Sequence, residues 1–294
     1  MSRPEHLAPP EVFYGDTEAS KYTGNSRVQN IQAEMTLRCL ELLCLPTYPD
    51  SPDVPIPSLL LDIGCGSGLS GEILTEHGHT WIGCDIAPSM LEVALENEVE
   101  GDLFLQDIGQ GFGFRPGVFD GAISVSVIQW LCNADKNSNS PPQRLSLFFN
   151  TLFGSLKRGA RAIFQFYPES DDQINLIMGI ATRAGFTGGL VVDYPNSKKA
   201  KKFYLCLMTG PSPGASASAK MELPAAYGTE DAHTVQYEKG RNKREERSHG
   251  RKGKKKDASA KDWILRKKSL YRQRGKEGVP NDSKFTGRKR KAQF

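Results

Sequence analysis

Three carboxylates end three successive apolar runs in the first half of the chain. Asp62 ends the run LLLD, Asp85 ends WIGCD and Asp107 ends LFLQD. Short apolar runs are typical of buried parallel strands, and open parallel sheets bind ligands at the carboxyl ends of their strands. The spacing therefore predicts one pocket that all three acids face.

A glycine-rich turn follows the first acid. Gly64, Gly66 and Gly68 stand at alternate positions, where the backbone can approach a ligand closely. The turn also satisfies the dinucleotide pattern G-x-G-x-x-G, but a carboxylate immediately before it would face the pyrophosphate of such a cofactor. A ligand with positive charge and no phosphate suits the turn better.

The other two acids predict a nucleoside. Asp85, at the tip of the second strand, can accept hydrogen bonds from ribose hydroxyls, and Ile86 follows it in the same pocket. Asp107 can accept a hydrogen bond from an adenine amino group while Ile108 packs on the ring. The set predicts adenosine linked to a cationic amino acid. The alternative is that each acid only caps its own turn.

The elements that position these residues alternate between apolar runs and amphipathic segments, which is typical of an α/β fold with a parallel sheet. The predicted strands are residues 58–64, 80–86, 102–107, 119–127, 161–168, 188–195 and 202–210. The predicted helices are residues 26–45, 69–77, 88–97, 143–157 and 170–184. Gly185 suits a left-handed C-cap after the last helix, and residues 46–57 form a Pro-rich loop.

Charge divides the chain, because residues 1–238 hold 16 Lys+Arg against 28 Asp+Glu whereas residues 239–294 hold 22 against 6. We therefore predict four segments: 1–57, an N-terminal segment packed on the core; 58–210, the α/β core; 211–238, a flexible linker with few apolar residues; and 239–294, a basic tail. The tail interleaves cations with Trp263, Tyr271 and Phe285, which is typical of RNA binding. Its runs RKGKKK and RKRK look like nuclear import signals.

The six cysteines lie among apolar neighbours, without a Cys-x-x-Cys pair or clustered histidines. We therefore expect buried reduced thiols and no metal site. No run approaches the roughly 20 apolar residues that a membrane span needs, and the first residues lack the apolar segment of a signal peptide. We therefore expect a soluble, intracellular chain with no membrane partner.

The glycine turn and the three acids resemble those of class I S-adenosylmethionine-dependent methyltransferases. This resemblance implies a Rossmann-like, seven-stranded, mostly parallel sheet with helices on both faces, and S-adenosyl-L-methionine as the cofactor.

Four longer segments resemble one family, the eukaryotic small-subunit (18S) rRNA guanine-N7 methyltransferases, whose human member is altered in Williams-Beuren syndrome. They are RPEHLAPPEVFYGDTEASKYTGNSRVQNIQAEM, QGFGFRPGVFDGAISVSVIQWLCNADK, VVDYPNSKKAKKFYLCLMTG and TGRKRKAQF. The resemblance implies methylation of a guanosine in the 18S rRNA of the pre-40S particle, with a role in pre-rRNA processing and 40S subunit biogenesis. It also implies a heterodimer with a small zinc-binding activator subunit, and a location in the nucleus and also the cytoplasm.

The family treats the segment FYGDTEASKYTGNSR as a lid over the cofactor. Tyr22, Asn25 and Arg27 could meet the methionine carboxylate or the ribose there by charge and hydrogen bonding. The alternative is the solvated start of a helix.

Guanine N7 has a free lone pair and no proton, so its methylation needs alignment and no general base. Positive charge moves from sulfur to the purine, and an aromatic face can stabilise it. The predicted substrate-positioning residues are Gln129, Trp130, Tyr167 and Tyr194, all near predicted carboxyl ends of strands. For the three aromatic residues, packing is the alternative.

Two other functions stay open. One is a methyltransferase-fold assembly factor whose binding to the pre-ribosome matters more than its catalysis. The other is a methyltransferase that acts on protein or a small molecule, for which the tail would serve only as a localisation signal.

Overall fold

A seven-stranded sheet forms the centre of the structure, a computed structural model that describes residues 3–134, 139–197, 199–211, 225–228, 265, 268, 272 and 281–282. A hairpin of β1 (Thr47–Tyr48) and β2 (Ser51–Pro55) precedes the sheet. The strands of the sheet are β3 (Leu59–Ile63), β4 (Thr80–Asp85), β5 (Asp102–Leu105), β6 (Phe119–Val125), β7 (Leu156–Phe166), β8 (Thr187–Asp193) and β9 (Lys202–Met208). Their order is β5-β4-β3-β6-β7-β9-β8, and β9 runs antiparallel to both of its neighbours. The predicted seven-stranded, mostly parallel sheet is confirmed.

Helices cover both faces of this sheet. They are α1 (Pro10–Phe13), α2 (Asp16–Gly24), α3 (Ser26–Leu43), α4 (Leu69–Glu76), α5 (Pro88–Glu96), α6 (Pro141–Ser155) and α7 (Asp171–Arg183). Strand side chains alternate between two cores: Ala162, Phe164 and Phe166 of β7 pack with α6 and α7, whereas Ile163 packs with α3 and α4 on the other face. The alternation explains why the strands read as nearly continuous apolar runs.

Local capping signals set the ends of two of the helices. Asn25 Oδ1 accepts a hydrogen bond from the amide of Arg27 at 3.1 Å and so begins α3. After α7, Gly185 adopts a φ of +107°, and the amide of Phe186 donates to the carbonyl of Ala181 at 3.1 Å. The predicted left-handed C-cap at Gly185 is confirmed.

A buried indole fixes the spacing between the first strands and helices. Trp81 of β4 is 2% exposed, and its Nε1 donates to Thr75 Oγ1 at 2.8 Å. Added Cβ atoms on Gly71, Gly83 and Gly101 would lie 2.1, 2.7 and 2.3 Å from atoms of the Trp81 ring. The three glycines therefore leave the space that this indole fills.

Some predicted features differ from the structure. Strand β7 begins at Leu156 and not at residue 161, because the chain turns extended directly after α6 and pairs with Phe119. The predicted Pro-rich loop contains the β1–β2 hairpin. Of the six cysteines, Cys44 is exposed and Cys132 is half-buried, so the expectation of burial was wrong for these two.

Two compact units divide the chain, at residues 1–232 and 233–294. In the second unit, Arg272 Nη1 and Lys268 Nζ lie 2.8 and 3.4 Å from the carboxylate of Asp282. The import-like runs and the three aromatic residues named for the tail lie outside the described residues. In the described part of the chain, no helix has the length and apolarity to cross a membrane, and no cluster of His, Cys, Asp or Glu could hold a metal ion.

Residues 225–228 lie within the predicted flexible linker but dock on the first unit. Arg38 of α3 donates to the carbonyl of Ala225 at 2.7 Å, and the amide of Tyr227 donates to Asp193 Oδ1 at 2.9 Å. The prediction of a flexible linker rested on low apolar content, whereas these four residues make polar contacts, a cation–π contact between Arg38 and Tyr227, and apolar packing of Ala226 on the core.

Candidate active site

A cavity opens at the carboxyl ends of the central strands, and the N-terminal segment forms its opposite wall. Its lining includes Glu11, Tyr14, Tyr22, Gly64, Gly66, Ser67, Ser70, Asp85, Ile86, Gln106, Asp107, Ile108, Gln110, Ser126, Val127, Trp130, Leu131 and Arg144. The cavity thus lies where open α/β sheets bind their ligands.

The glycine turn after β3 needs glycine for conformation and for space. Gly64, Gly66 and Gly68 have φ values of +74°, +53° and +83°, which favour glycine. A Cβ on Gly64 would lie 2.2 Å from Cγ2 of Val127, in the turn after β6. Gly64 and Gly66 line the cavity, whereas Gly68 serves as the N-cap of α4.

Asp85 lies at the end of β4 and faces the cavity. Its Oδ2 accepts a hydrogen bond from the amide of Gly66 at 2.9 Å, and its Oδ1 accepts one from the amide of Ala87 at 2.8 Å. Burial raises the pKa of this carboxyl, and the backbone amides oppose that rise. Each carboxylate oxygen retains a lone pair, so the group can still accept hydrogen bonds from a ligand.

Asp62 lies behind the glycine turn and does not line the cavity. It is 1% exposed, and its Oδ2 accepts a hydrogen bond from Ser70 Oγ at 2.6 Å. Burial raises its pKa to about 7, with a smaller contribution from the charge of Asp85. The expectation that all three acids face the ligand was therefore wrong for Asp62, because its position before the turn points it into the protein.

Asp107 lines the cavity but is already held by an arginine that the sequence patterns do not reveal. Its Oδ1 accepts hydrogen bonds from Arg144 Nη2 at 2.6 Å and from the amide of Gly109 at 2.9 Å. A Cβ on Gly109 would lie 2.2 Å from Arg144 Nε, so this glycine gives the arginine its path to Asp107. Ile108 lies beside them in the wall.

Two tyrosines of the N-terminal segment enter the cavity. Tyr14 and Tyr22 pack edge to face at 6.0 Å, and both line the cavity. Burial, followed by the charge of Asp85, raises the pKa of Tyr14 to about 12, and burial also raises that of Tyr22. Asn25 and Arg27 lie outside the cavity, because Asn25 caps α3 and Arg27 is exposed in its first turn.

Trp130 lines the cavity from the short 3-10 helix Ile128–Cys132, which follows β6. Its ring is 7% exposed and lies 5.9 Å from the rings of Phe13 and Tyr14. Gln129 does not line the cavity: its Nε2 donates to the carbonyl of Ser126 at 2.9 Å. Neighbouring side chains of a 3-10 helix point about 120° apart, so the two residues do not share one wall.

Tyr167 and Tyr194 lie at the predicted edge of the sheet but do not line the cavity. Tyr167 Oη accepts a hydrogen bond from Lys202 Nζ at 2.8 Å. Tyr194 follows the outermost strand, β8, and its ring lies 6.2 Å from that of Tyr227. Neither tyrosine therefore belongs to the immediate wall of the cavity. The strand order places Tyr194, after β8, far from β3 and β6, whereas Tyr167 follows β7 beside β6 and its hydroxyl contacts Met35 Sδ and Lys202 Nζ.

Several lining residues were missed by sequence reasoning. Ser126 has a φ of +64°, and its amide donates to the carbonyl of Gln165 at 2.8 Å. Ser67 Oγ is buried without a hydrogen-bond partner in the described structure. In the sequence, only the neighbouring glycine turn indicates that Ser67 could line a ligand site. Arg144 and Tyr14 reach the cavity through tertiary contacts, which no local pattern predicts.

The cavity suits an adenosine that carries a cationic amino acid. Asp85 and Asp107 offer acceptors at adjacent strand ends, Ile86 and Ile108 offer apolar contact, and the unpartnered Ser67 hydroxyl can meet a polar ligand group. Among the described lining residues the one cation, Arg144, is paired with Asp107 at 2.6 Å, and Glu11 and Asp85 add negative charge, so the wall disfavours a phosphate.

Comparison with known proteins places this geometry in a family. Residues 207–292 match the family described as "Methyltransferase involved in Williams-Beuren syndrome", and residues 61–164 match a general methyltransferase domain. The chain is 54% identical to the 18S rRNA (guanine(1575)-N(7))-methyltransferase of Saccharomyces cerevisiae, with 100% of both chains covered. It is 52% identical to the 18S rRNA (guanine-N(7))-methyltransferase of Mus musculus, covering 99% of this chain and 98% of the relative.

Solved structures share the fold at much lower identity. Phosphoethanolamine N-methyltransferase 2 of Haemonchus contortus, in complex with S-adenosyl-L-methionine, matches with a TM-score of 0.50 and 16% identity over 71% of this chain and 60% of that chain. This likeness concerns the fold alone.

Proposed function

The chain belongs to the family of 18S rRNA (guanine-N(7))-methyltransferases, and on this premise we propose that it methylates N7 of a guanosine in 18S rRNA with S-adenosyl-L-methionine as the methyl donor. The observation that carries the proposal is identity of about half the residues along the full length of relatives that bear this name. The enzyme thereby acts in small-subunit rRNA processing and 40S subunit biogenesis.

The cofactor supplies a methyl group on a positively charged sulfur. Asp85 would hold the ribose hydroxyls, Asp107 would accept from the adenine amino group, and Ile86 and Ile108 would pack on the adenosine. The glycine turn brings backbone close to the methionine part, where Ser67 and Ser70 offer hydroxyls. Asp62 acts from behind Ser70 as a buried charge and not as a direct ligand.

The protein contributes alignment to the transfer, because guanine N7 attacks with its own lone pair and gives up no proton. Trp130 offers the aromatic face on which the guanine lies as it gains positive charge. Gln129 positions this residue indirectly, since its side chain fixes the carbonyl of Ser126 in the turn after β6. Tyr167 and Tyr194 lie farther out, where they could contact RNA beyond the target base.

The basic tail gives this enzyme its affinity for RNA. Residues 1–238 carry an excess of 12 acidic charges and would repel RNA phosphates, whereas residues 239–294 carry an excess of 16 basic charges. The same tail carries the runs that address the protein to the nucleus through the import machinery, with a further pool in the cytoplasm.

An activator subunit covers the free edge of the sheet in this proposal. Strand β5 is an edge strand, and its Phe104 and Leu105 are 48% and 61% exposed. An apolar edge strand favours pairing with another chain. The small zinc-binding subunit of the proposed heterodimer would bind along β5 and cover these exposed apolar side chains.

A binding role beside catalysis has its own support. The stretch matched to the Williams-Beuren family, residues 207–292, follows in the sequence every described residue that lines the cavity, the last of which is Arg144. Replacing Asp85 with Lys should abolish cofactor binding. Normal 40S assembly by this variant would favour the assembly-factor function, and loss of assembly together with methylation would count against it.

The direct test uses tritiated-methyl cofactor, the enzyme with its activator, and precursor small-subunit particles. We expect label in 18S rRNA at a guanosine where borohydride and aniline then cleave the strand. The Asp85→Lys variant serves as the control without methyl transfer. Label on protein, or on RNA without aniline-sensitive sites, would refute the proposed reaction.

A further inference from the structure

Residues 225–228 form an ordered contact that none of the functions above explains. The backbone of Tyr227 pairs with the end of β8 on both sides: its amide donates to Asp193 Oδ1 at 2.9 Å, and its carbonyl accepts from the amide of Tyr194 at 2.8 Å. Its phenol donates to Glu41 Oε2. Gly228 follows with a φ of +74°, and a Cβ there would lie 2.9 Å from the Tyr194 ring.

A buried ion pair lies beneath this segment. Arg38 and Asp193 are 5% and 2% exposed, and their two hydrogen bonds measure 2.9 and 3.1 Å. The guanidinium carbon of Arg38 lies 3.7 Å from the centroid of the Tyr227 ring. A buried ion pair is favourable only when its remaining hydrogen-bonding capacity is met. In this segment, the Ala225 carbonyl accepts a hydrogen bond from Arg38 and the Tyr227 amide donates one to Asp193. The Tyr227 ring also covers the guanidinium of Arg38.

The position of this contact matters because β9 runs antiparallel. After Met208 the chain leaves the sheet at the edge where the parallel strands begin, opposite to the cavity. Tyr194 directly follows β8, which is parallel to β7, and therefore lies at the carboxyl edge. The docked segment returns the chain to the edge that carries the cavity. Fourteen residues, 211–224, can extend about 45 Å and exceed the roughly 23 Å length of a seven-residue strand.

We propose that Tyr227 is an intramolecular anchor that starts the basic tail from the cavity edge, so that tail and catalytic domain hold the same RNA. This inference rests on the proposed function, because it takes RNA as the ligand of the tail. The anchor site consists of Arg38, Glu41, Asp193 and Tyr194, and its occupant is the segment 225–228 of the same chain.

Chain statistics give the size of the effect. With the anchor in place, the chain from residue 229 to the first tail residue, 239, is 11 residues long, and without it the chain from residue 211 to residue 239 is 29 residues long. The effective concentration of the tail near RNA bound to the domain falls as about the 3/2 power of linker length. Release of the anchor should therefore lower this concentration roughly fourfold. Release also moves the starting point to the opposite edge, so fourfold is the minimum expected loss of RNA affinity.

Hydrogen exchange tests the anchor without reference to RNA. In the full-length protein, the amides of Tyr194 and Tyr227 should be protected, and Tyr227→Ala should remove protection at Tyr194. Tyr227→Phe retains the ring over Arg38 and should retain protection. Tyr48→Ala removes a similarly exposed tyrosine in β1 and serves as the matched control. Fast exchange of both amides in the unmodified protein would refute the proposal that Tyr227 anchors the segment.

A double-mutant cycle then tests whether the anchor increases the affinity of the protein for RNA. Tyr227→Ala should raise the Kd for an 18S rRNA fragment at least fourfold and leave the Kd for S-adenosylhomocysteine unchanged. In full-length protein with the five cations of residues 251–256 changed to Gln, the same substitution should have a smaller effect, because the tail that it releases contributes less to RNA binding. An equal effect in both backgrounds would refute delivery of the tail. Fragment binding without methylation by the unmodified enzyme would instead refute the proposed function, and the anchor would still be measurable.

Discussion

The buried carboxyl of Asp62 should make the cofactor-free protein less stable as the pH rises. Its pKa in the folded protein is about 7, because burial penalises the charged form, whereas an unfolded aspartate has a pKa of about 3.9. Below pH 4 both states hold the proton. Between pH 4 and pH 7 the folded protein holds it and the unfolded chain has lost it, so the free energy of unfolding falls with rising pH.

The difference of about three pKa units corresponds to roughly 4 kcal/mol, at 1.36 kcal/mol per unit. This cost is complete above pH 7. Asn in place of Asp62 resembles the protonated acid in shape and can still accept the hydrogen bond from Ser70. The Asp62→Asn variant should therefore lack this pH dependence and gain up to about 4 kcal/mol relative to the unmodified protein at pH 8.

Urea unfolding of both proteins at pH 5, 6, 7 and 8 without cofactor measures the effect. Asp102→Asn, at an exposed position in β5, is the matched control and should follow the unmodified protein. The more stable Asp62→Asn variant should also bind S-adenosyl-L-methionine more weakly at pH 8, since it lacks the negative charge behind Ser70. Stability curves that run parallel across this pH range would refute the assignment of a raised pKa to Asp62.

Three further substitutions test the site and the packing around it. Asp85→Asn should weaken S-adenosylhomocysteine binding about 10- to 150-fold in calorimetry, because hydrogen bonds to a charged acceptor contribute roughly 1.5–3 kcal/mol. Trp130→Ala should lower kcat/KM for RNA about 5- to 150-fold while the cofactor Kd stays within about threefold, since stacking of a base on an aromatic ring contributes roughly 1–3 kcal/mol. Gly71→Ala should lower the free energy of unfolding by about 1–3 kcal/mol in urea titrations, because its methyl group would overlap the Trp81 ring.

Each of these changes has a control and a refuting result. Asp102→Asn should not alter cofactor binding, and equal losses in both Asn variants would show that Asp85 has no special role. Trp130→Phe should recover part of the turnover, and a Trp130→Ala enzyme with normal kcat/KM would exclude the aromatic platform. Gly154→Ala in α6 meets nothing within 4 Å and should be neutral or stabilising. A neutral Gly71→Ala would mean that the indole can move.

The sequence predicted the sheet and the strand-end acids because both follow from local patterns. Apolar runs define the strands, and a parallel sheet brings their carboxyl ends to one edge, so Asp85 and Asp107 fall beside the same cavity. Side-chain direction was less predictable. Asp62 was expected to face the cavity, but it lies before the glycine turn and its side chain is buried in the protein. Gln129 was expected beside Trp130, but its side chain points away from it.

Contacts between distant segments were beyond the sequence patterns. Arg144 reaches Asp107 across 37 positions, and Tyr227 reaches Arg38 across 189. Neither partner sits in a run with a recognisable period, and the four residues 225–228 are too short a segment, with small side chains apart from Tyr227, to predict a docked element. Of the predicted lid residues, Tyr22 does line the cavity, whereas Tyr14 could be assigned to it only from the tertiary structure.

The three glycines around Trp81 also constrain how this family of sequences can change. While the indole is present, a side chain at position 71, 83 or 101 overlaps it, so each of these substitutions alone is harmful. A smaller residue at position 81 opens the space beside positions 71 and 101 at once, whereas position 83 stays restricted because an added Cβ there would also lie 2.7 Å from Cys65 Sγ. The order of mutation then decides the outcome: the tryptophan must be lost first, and once a glycine has been replaced the tryptophan cannot return. Positions 71, 81 and 101 therefore form one epistatic unit in which substitutions are not readily reversed.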